Sequence, residues 1–321
     1  MKQVLTSVIG NSVSATPAEQ VSDTSTNETI NATNVSKSYG DEQVLEDLSL
    51  SIASGEAVVL AGPNGAGKST FLSCLVGNER PDSGEISVFG TQSPQRRSDS
   101  LAVLLQGAVL IDDLTGRENI EFYAALDTPF TLRWQTYVER FDLEESLDDP
   151  VRTYSGGMKR KLELAMTLSV DAAGYILDEP TAGIDLSMAG EMHRTILELL
   201  DEDRSVLLTS HNPIDIEIAG RVAFLSDGHI TAFGTPSHLI DKLPPVVRFQ
   251  NRRDAMAVSD LVSDVYYVGA ESRGYLEDHS LSEIKATIKE ETSTTTQIDT
   301  VSPGYSDAFS YYTGSRSADG N

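Results

Sequence analysis

Apolar positions along the chain change their period twice. From Ala32 onward they come in short runs bounded by polar or glycine-containing stretches: Ala32 to Lys37, Leu48 to Ala53, Ala57 to Ala61, Glu85 to Phe89 and Leu101 to Leu105. Runs of that length read as strands, and one helix is predicted among them, from Lys68 to Val76. Between about residues 115 and 170 the spacing turns helical, with Ile120, Tyr123 and Ala124, then Trp134, Tyr137, Val138 and Phe141, then Leu162, Leu164, Ala165 and Leu168. Strand signals return at Tyr175-Ile176-Leu177, Val206-Leu207-Leu208 and Val222-Ala223-Phe224-Leu225, with a helix from Leu186 to Leu200 between them. Strands alternating with helices predict an α/β core built on a mostly parallel sheet, interrupted by a helical insertion.

The same pattern sets the domain boundaries. Residues 1–30 are rich in Ser, Thr, Asn and Ala without apolar periodicity, and read as a disordered leader. Residues 31–243 form the main unit, with a helical subdomain at about 107–170, and Leu243-Pro244-Pro245 closes it. Residues 244–314 mix short strand-like and helical runs and read as a small α+β accessory domain; 315–321 should be a loose tail. An apolar fraction of 39% in 321 residues suffices for packed cores. The single cysteine, Cys74, excludes an intramolecular disulfide and falls on the first helix, where a small buried residue is expected. No run approaches the roughly 18 to 20 apolar residues that span a bilayer. The apolar part of Met1 to Ile9 is too short and interrupted for a secretory signal, so a cytoplasmic location is expected.

Charge narrows the partners. The net charge is −25, from 49 acidic against 24 basic residues, and only eight of the latter are lysines. Such a surface repels polyanions, so no nucleic-acid partner is expected. It also stays hydrated in concentrated salt, and a halophilic source is expected on that ground. In dilute buffer the self-repulsion would grow as the screening length rises from about 3 Å at 1 M to about 30 Å at 0.01 M.

The chemistry is concentrated in Gly62-Pro63-Asn64-Gly65-Ala66-Gly67-Lys68-Ser69-Thr70, which follows the run Ala57 to Ala61. Four residues between Gly62 and Gly67 let consecutive backbone N–H groups wrap a phosphate at the start of a helix. Lys68 then reaches the β- and γ-phosphates, and the Ser69 hydroxyl faces the Mg²⁺ that bridges them. Far downstream, Asp178-Glu179 ends the run Tyr175-Ile176-Leu177. Asp178 suits Mg²⁺ and Glu179 suits an attacking water, although an acidic pair at a strand end also serves as a helix cap. Gln106 follows the run Leu101 to Leu105, and His211 follows the run from Val206 to Ser210, where it can contact the γ-phosphate and orient Glu179 and water. His193, His229, His238 and His279 have no such setting and are expected to be ordinary surface residues.

With Tyr154-Ser155-Gly156-Gly157-Met158 preceding a helix, these elements fall in an order that resembles the ATP-binding subunit of ABC transporters. Tyr154 stands where that family usually has Leu, and Met158 where it usually has Gln, a form similar to the antibiotic-resistance and polymer-export branches. The resemblance covers residues from about 32 to 243 and implies an α/β P-loop ATPase core with an antiparallel β subdomain and a helical subdomain. It implies two copies, or one copy and a homologous subunit, sandwiching two ATP molecules head to tail. Ser155, Gly156 and Gly157 of one would contact the γ-phosphate held by Lys68 of the other. Further implied roles are Gln106 as a catalytic and Mg²⁺-contacting residue, Tyr39 stacking on adenine, and Asp185 in Thr181-Ala182-Gly183-Ile184-Asp185 coupling the two sites. Asp307, Phe309, Thr313 and Gly314 are similar to the chain ending of the drug- and lipid-export branch. The reading that follows is an ATPase powering export through a separate multispanning permease, peripheral on the inner face of the membrane. The permease would dock beside Gln106 and the helices from Arg117 to Phe141, where Phe122 and Tyr123 either meet it or pack inside the insertion. The competing class is a soluble relative acting in repair, translation or cluster assembly; a single cassette and a single cysteine count against it.

Overall fold

The computed structural model describes residues 28–105, 110–126, 129–269, 271–277, 279–292 and 298–314. Two twelve-residue antiparallel strands come first, β1 (Glu28–Tyr39) and β2 (Glu42–Ala53), joined by a turn in which Gly40 holds a φ of 62°. β1 starts inside the stretch expected to be a loose leader. The reason is Ile30, which is buried between its partners Ile52 and Val88 and so adds apolar burial to the sheet. Leu48, Leu50 and Ile52 alternate with polar residues along β2, the pattern of a half-buried strand. β3 (Ala57–Ala61) is buried at every position, and α1 (Lys68–Val76) spans the predicted residues. α1 ends at Gly77, whose φ of 85° lets its N–H reach the Cys74 carbonyl. Cys74 itself is a core residue, its thiol pKa pushed up to about 11 by burial first of all. β4 (Ser83–Val88) completes a three-stranded antiparallel sheet in the order β2-β1-β4.

After α2 (Pro94–Arg97) and β5 (Leu101–Leu104) the helical insertion contains α3 (Gly116–Leu126), α4 (Arg133–Arg140) and α5 (Gly156–Leu168). Tyr137 and Phe141 stack within it, one helical turn apart, and join a core with Leu162, Leu164 and Leu168. The chain then returns to the main sheet through β6 (Gly174–Asp178), α6 (Leu186–Asp201), β7 (Ser205–Ser210), β8 (Arg221–Ser226), β9 (His229–Gly234) and α7 (Pro236–Asp241). That sheet has the order β5-β6-β7-β3-β8-β9, parallel except for the β8–β9 pair. β6 and β7 are buried throughout, which is why their sequences are continuous apolar runs rather than alternating ones. The order brings the carboxyl ends of β3, β6 and β7 side by side, with Asp178 opposite Thr209 and Ala61 opposite Ser210. Ligands of open parallel sheets bind at that edge.

The remainder is β10 (Val246–Phe249), α8 (Arg252–Ala257), β11 (Ser263–Val268), β12 (Glu271–Tyr275), α9 (Leu281–Thr292), β13 (Ile298–Val301) and α10 (Tyr305–Thr313). An antiparallel sheet in the order β11-β12-β10-β13 shares a separate core with α8 and α9, built on Val247, Phe249, Val262, Ile284 and Ile288. α10 departs from the expected accessory domain. Its Tyr305, Phe309 and Tyr312 rings pack on Phe224 of β8, with centroids 5.9, 6.3 and 5.1 Å away. Thr231 of β9 donates to the Tyr312 carbonyl at 2.6 Å, and Ser226 of β8 to that of Thr313 at 2.9 Å. On its other side α10 meets β11 and β12 through Asp307 and Tyr311. The last helix therefore joins the two units, because it is aromatic on one side and carries a buried carboxylate on the other.

Candidate nucleotide site

Residues 62–67 leave the end of β3 as a tight loop, with Gly65 and Gly67 at φ values of 84° and 103°, and Gly67 caps α1. Lys68 is buried, and its ammonium donates to the carbonyls of Gly62 and Pro63 at 2.8 and 3.0 Å. Burial lowers its pKa, while the charges of Glu179 and Asp178 oppose that shift. A Cβ added to Gly62 would lie 2.3 Å from the Leu225 carbonyl oxygen of β8, a backbone atom. Gly62→Ala is accordingly expected to destabilise the fold by about 1–3 kcal/mol, read as a lower urea midpoint at fixed salt. An unchanged midpoint would mean that β8 moves aside freely.

The acidic pair closes the site from β6. Asp178 is buried and accepts hydrogen bonds from Ser69 Oγ at 3.1 Å and Thr209 Oγ1 at 2.5 Å. A serine hydroxyl and a carboxylate are hard oxygen donors of the kind Mg²⁺ takes, so these two residues fit that ion. Glu179 holds a φ of 46°, rare for a residue with a Cβ and costing on the order of 1–3 kcal/mol. Its backbone N–H donates to Thr209 Oγ1 at 2.8 Å, and its carbonyl accepts from Arg160 at 2.9 Å. Arg160, on α5, also donates to the Asp178 carbonyl. Across the edge, His211 Nδ1 lies 3.4 Å from Glu179 Oε1, with the imidazole largely exposed.

The remaining sequence-predicted residues fall as follows. Ser155 caps α5, its hydroxyl accepting from the Met158 N–H at 3.2 Å. Gly157 is crowded, since a Cβ would approach the Gly183 carbonyl to 3.1 Å, whereas one on Gly156 would meet nothing within 4 Å among the described residues. Tyr154 is buried, and its hydroxyl donates to the Ser146 carbonyl at 2.5 Å. Asp185 caps α6 by accepting from Met188 N–H at 3.0 Å, which depresses its pKa. Tyr39 ends β1 as a 47% exposed residue, with the Lys37 ammonium 5.3 Å from the centroid of its ring. Gln106 lies outside the described residues. One histidine assignment is corrected: His193 is buried, with Nε2 2.8 Å from a carboxylate oxygen of Asp215. It fits there because Ala189 and Ile196 put that face of α6 against the core, and a polar side chain on a buried face needs a partner. Sequence reasoning also passed over Arg160, Thr209 and Asp215, and it named Thr181 only as the start of the segment ending at Asp185, not as a partner of Asp215. Only Arg160 carried a local signal, being the middle of the basic run Lys159-Arg160-Lys161 just after Met158.

A phosphate-wrapping loop on the central strand, with a hydroxyl–carboxylate pair and a Glu–His pair at neighbouring strand ends, defines a P-loop nucleoside triphosphatase. Residues 45–182 match the ABC transporter family. Nod factor export ATP-binding protein I of Rhizobium meliloti is 37% identical over 221 residues, which are 66% of this chain and 66% of that protein. The linearmycin resistance ATP-binding protein of Bacillus subtilis is 29% identical over 267 residues, 81% of this chain and 84% of that one. A solved ATP-binding subunit of an ABC transporter superposes with a TM-score of 0.62 at 26% identity, over 67% of this chain and 92% of that structure. The chain belongs to the ABC transporter family.

Proposed function

We propose that this chain is the ATP-hydrolysing subunit that powers a separate multispanning permease, for export, by closing head to tail on ATP with a second copy or a homologous subunit. The observation that carries the reading is the Glu179–His211 pair, 3.4 Å apart beside the Lys68 loop. The loop N–H groups and Lys68 bind the β- and γ-phosphates, the ammonium exchanging two carbonyls for phosphate oxygens. Glu179 orients and polarises the in-line water, and His211 contacts the γ-phosphate and steadies the Glu179 carboxylate. Ser69 and Asp178, with Gln106, would hold Mg²⁺, which would supply charge neutralisation to the phosphate groups. Ser155, Gly156 and Gly157 cap the γ-phosphate held by the partner copy. Gly156 supports that role, because among the described residues no crowding around an added Cβ demands a glycine there.

Export rests on what the relatives do by name, Nod factor export and linearmycin resistance. Among the described residues no helix is long and apolar enough to cross a membrane; the proposal assigns the path for substrate to the permease. In this reading the chain lies on the cytoplasmic face of the membrane, held there through its partner. Phe122 on α3 is 41% exposed and meets Tyr123 edge to face, an apolar surface suited to the docking contact. Tagged Glu179→Gln protein, loaded with ATP and used to pull down partners from gently solubilised native membranes at high salt, is expected to enrich a multispanning protein over a Lys68→Ala control. Mass spectrometry that finds repair, ribosomal or cluster-assembly proteins instead would overturn the transporter reading.

A further inference from the structure

Asp215 belongs to none of the nucleotide-binding motifs, yet its side chain is fully buried. It sits in the short 3-10 turn Pro213–Ile218, which starts two residues after His211. Its carboxylate collects three side chains from three other segments: Thr181 Oγ1 donates at 2.7 Å, His193 Nε2 lies at 2.8 Å, and Ser210 Oγ donates as well. Among the described residues His193 is its only ion-pair partner. A carboxylate withdrawn from water is tolerated only with its hydrogen bonds made, so the four side chains are held as a unit.

Each of the three ties leads to a group the reaction needs. Thr181 comes two residues after Glu179 and opens the segment that ends at Asp185. Ser210 immediately precedes His211, and its Oγ also accepts the Asn212 N–H at 2.9 Å, which sets the turn on which the imidazole stands. His193 lies on α6, the helix whose first turn is capped by Asp185. The His211 side chain is itself 60% exposed, and among the described residues Glu179 is its only ion-pair partner, so their spacing depends on the turn that carries the imidazole. Helix α10 closes the same cluster: the Tyr305 hydroxyl is buried without a hydrogen-bond partner among the described residues, and burial, with the nearby charge of Asp215, raises its pKa.

We infer that Asp215 is a positioning residue for ATP hydrolysis: through Thr181, Ser210 and His193 it sets the spacing of Glu179 and His211 and ties it to the Asp185 segment. The inference rests on the roles proposed above for Glu179 and His211. Full-length Asp215→Asn protein, measured beside wild type, Glu179→Gln and His211→Ala, tests it. The kcat is expected to fall about 10- to 100-fold, the size of effect that a misplacement of the reacting groups produces. The KM for ATP and nucleotide binding should stay within about 2-fold, a split that separates positioning from lost binding. A second pair separates positioning from folding. His193→Gln keeps a donor towards Asp215 and His193→Phe keeps bulk without one, so the Gln variant should retain the larger kcat at comparable thermal midpoints. Wild-type kcat in Asp215→Asn, or rates that follow the thermal midpoint rather than the donor, would overturn the inference. Wild-type turnover in Glu179→Gln and His211→Ala would instead overturn the roles on which it depends.

Discussion

Glu179→Gln protein is expected to bind ATP, close into a dimer and stall, with turnover reduced by about 10²- to 10⁴-fold, the usual contribution of a positioned base. The amide keeps the volume of the carboxylate and can still meet His211, so the geometry of the strand end should survive. What should be lost is the proposed ability of Glu179 to polarise the attacking water. The backbone makes this position hard to bypass. Glu179 holds its left-handed φ because Thr209 accepts its N–H and Arg160 grips its carbonyl, and both ties are to main-chain atoms that the substitution leaves alone. Phosphate release measures the first half of the expectation. Size-exclusion chromatography with ATP measures the second, since the stalled protein should elute as a dimer while Lys68→Ala, deprived of the ammonium that binds phosphate, should not. Turnover within about 3-fold of wild type would remove Glu179 from the mechanism.

The parts of the fold legible in the sequence are those whose signal is local. β3 and the core of β6 and β7 are apolar runs closed by turn residues, α1 lies between Gly67 and Gly77, and α6 starts at the cap Asp185. The residues proposed to touch nucleotide are legible for the same reason. A phosphate loop works through consecutive N–H groups, so Lys68 and Ser69 are identified by spacing alone, while Asp178, Glu179 and His211 stand at strand ends. The accessory sheet was harder. Its strands pair in the order β11-β12-β10-β13, and partners such as Phe249 and Ile298 are distant in sequence. Asp215, Thr181 and His193 matter through one another across gaps of 22 and 34 residues, and a lone histidine in a helix offers no clue that a buried carboxylate waits opposite it. α10 carried recognisable residues, yet its role as the join between the two units depends on which way Phe309 and Asp307 face.

That join yields the second large effect. Asp307 is buried in the first turn of α10, where it accepts from Tyr266 at 2.7 Å, from Arg273 at 3.0 Å and from the Gly304 N–H at 2.7 Å. Tyr275 donates to its carbonyl at 2.6 Å. Burial alone would lower the pKa of the Arg273 guanidinium, but its hydrogen bonds to Glu271 and Asp307 outweigh that and raise it. Removing one member of a buried pair strands the other, at a cost of about 3–5 kcal/mol. Arg273 keeps its more exposed partner Glu271 at 2.8 Å, so Asp307→Ala is expected near the lower end, about 3 kcal/mol. Asp307→Asn, which keeps acceptors for Tyr266 and the helix cap, should lose less. The loss should also be local. Hydrogen exchange ought to quicken in β11, β12 and α10 while β3, β6 and β7 keep their protection, because the main sheet has its own core beneath it. Unchanged stability would show that the aromatic packing on Phe224 holds α10 without the ion pair. Uniformly faster exchange would show that the two units unfold as one.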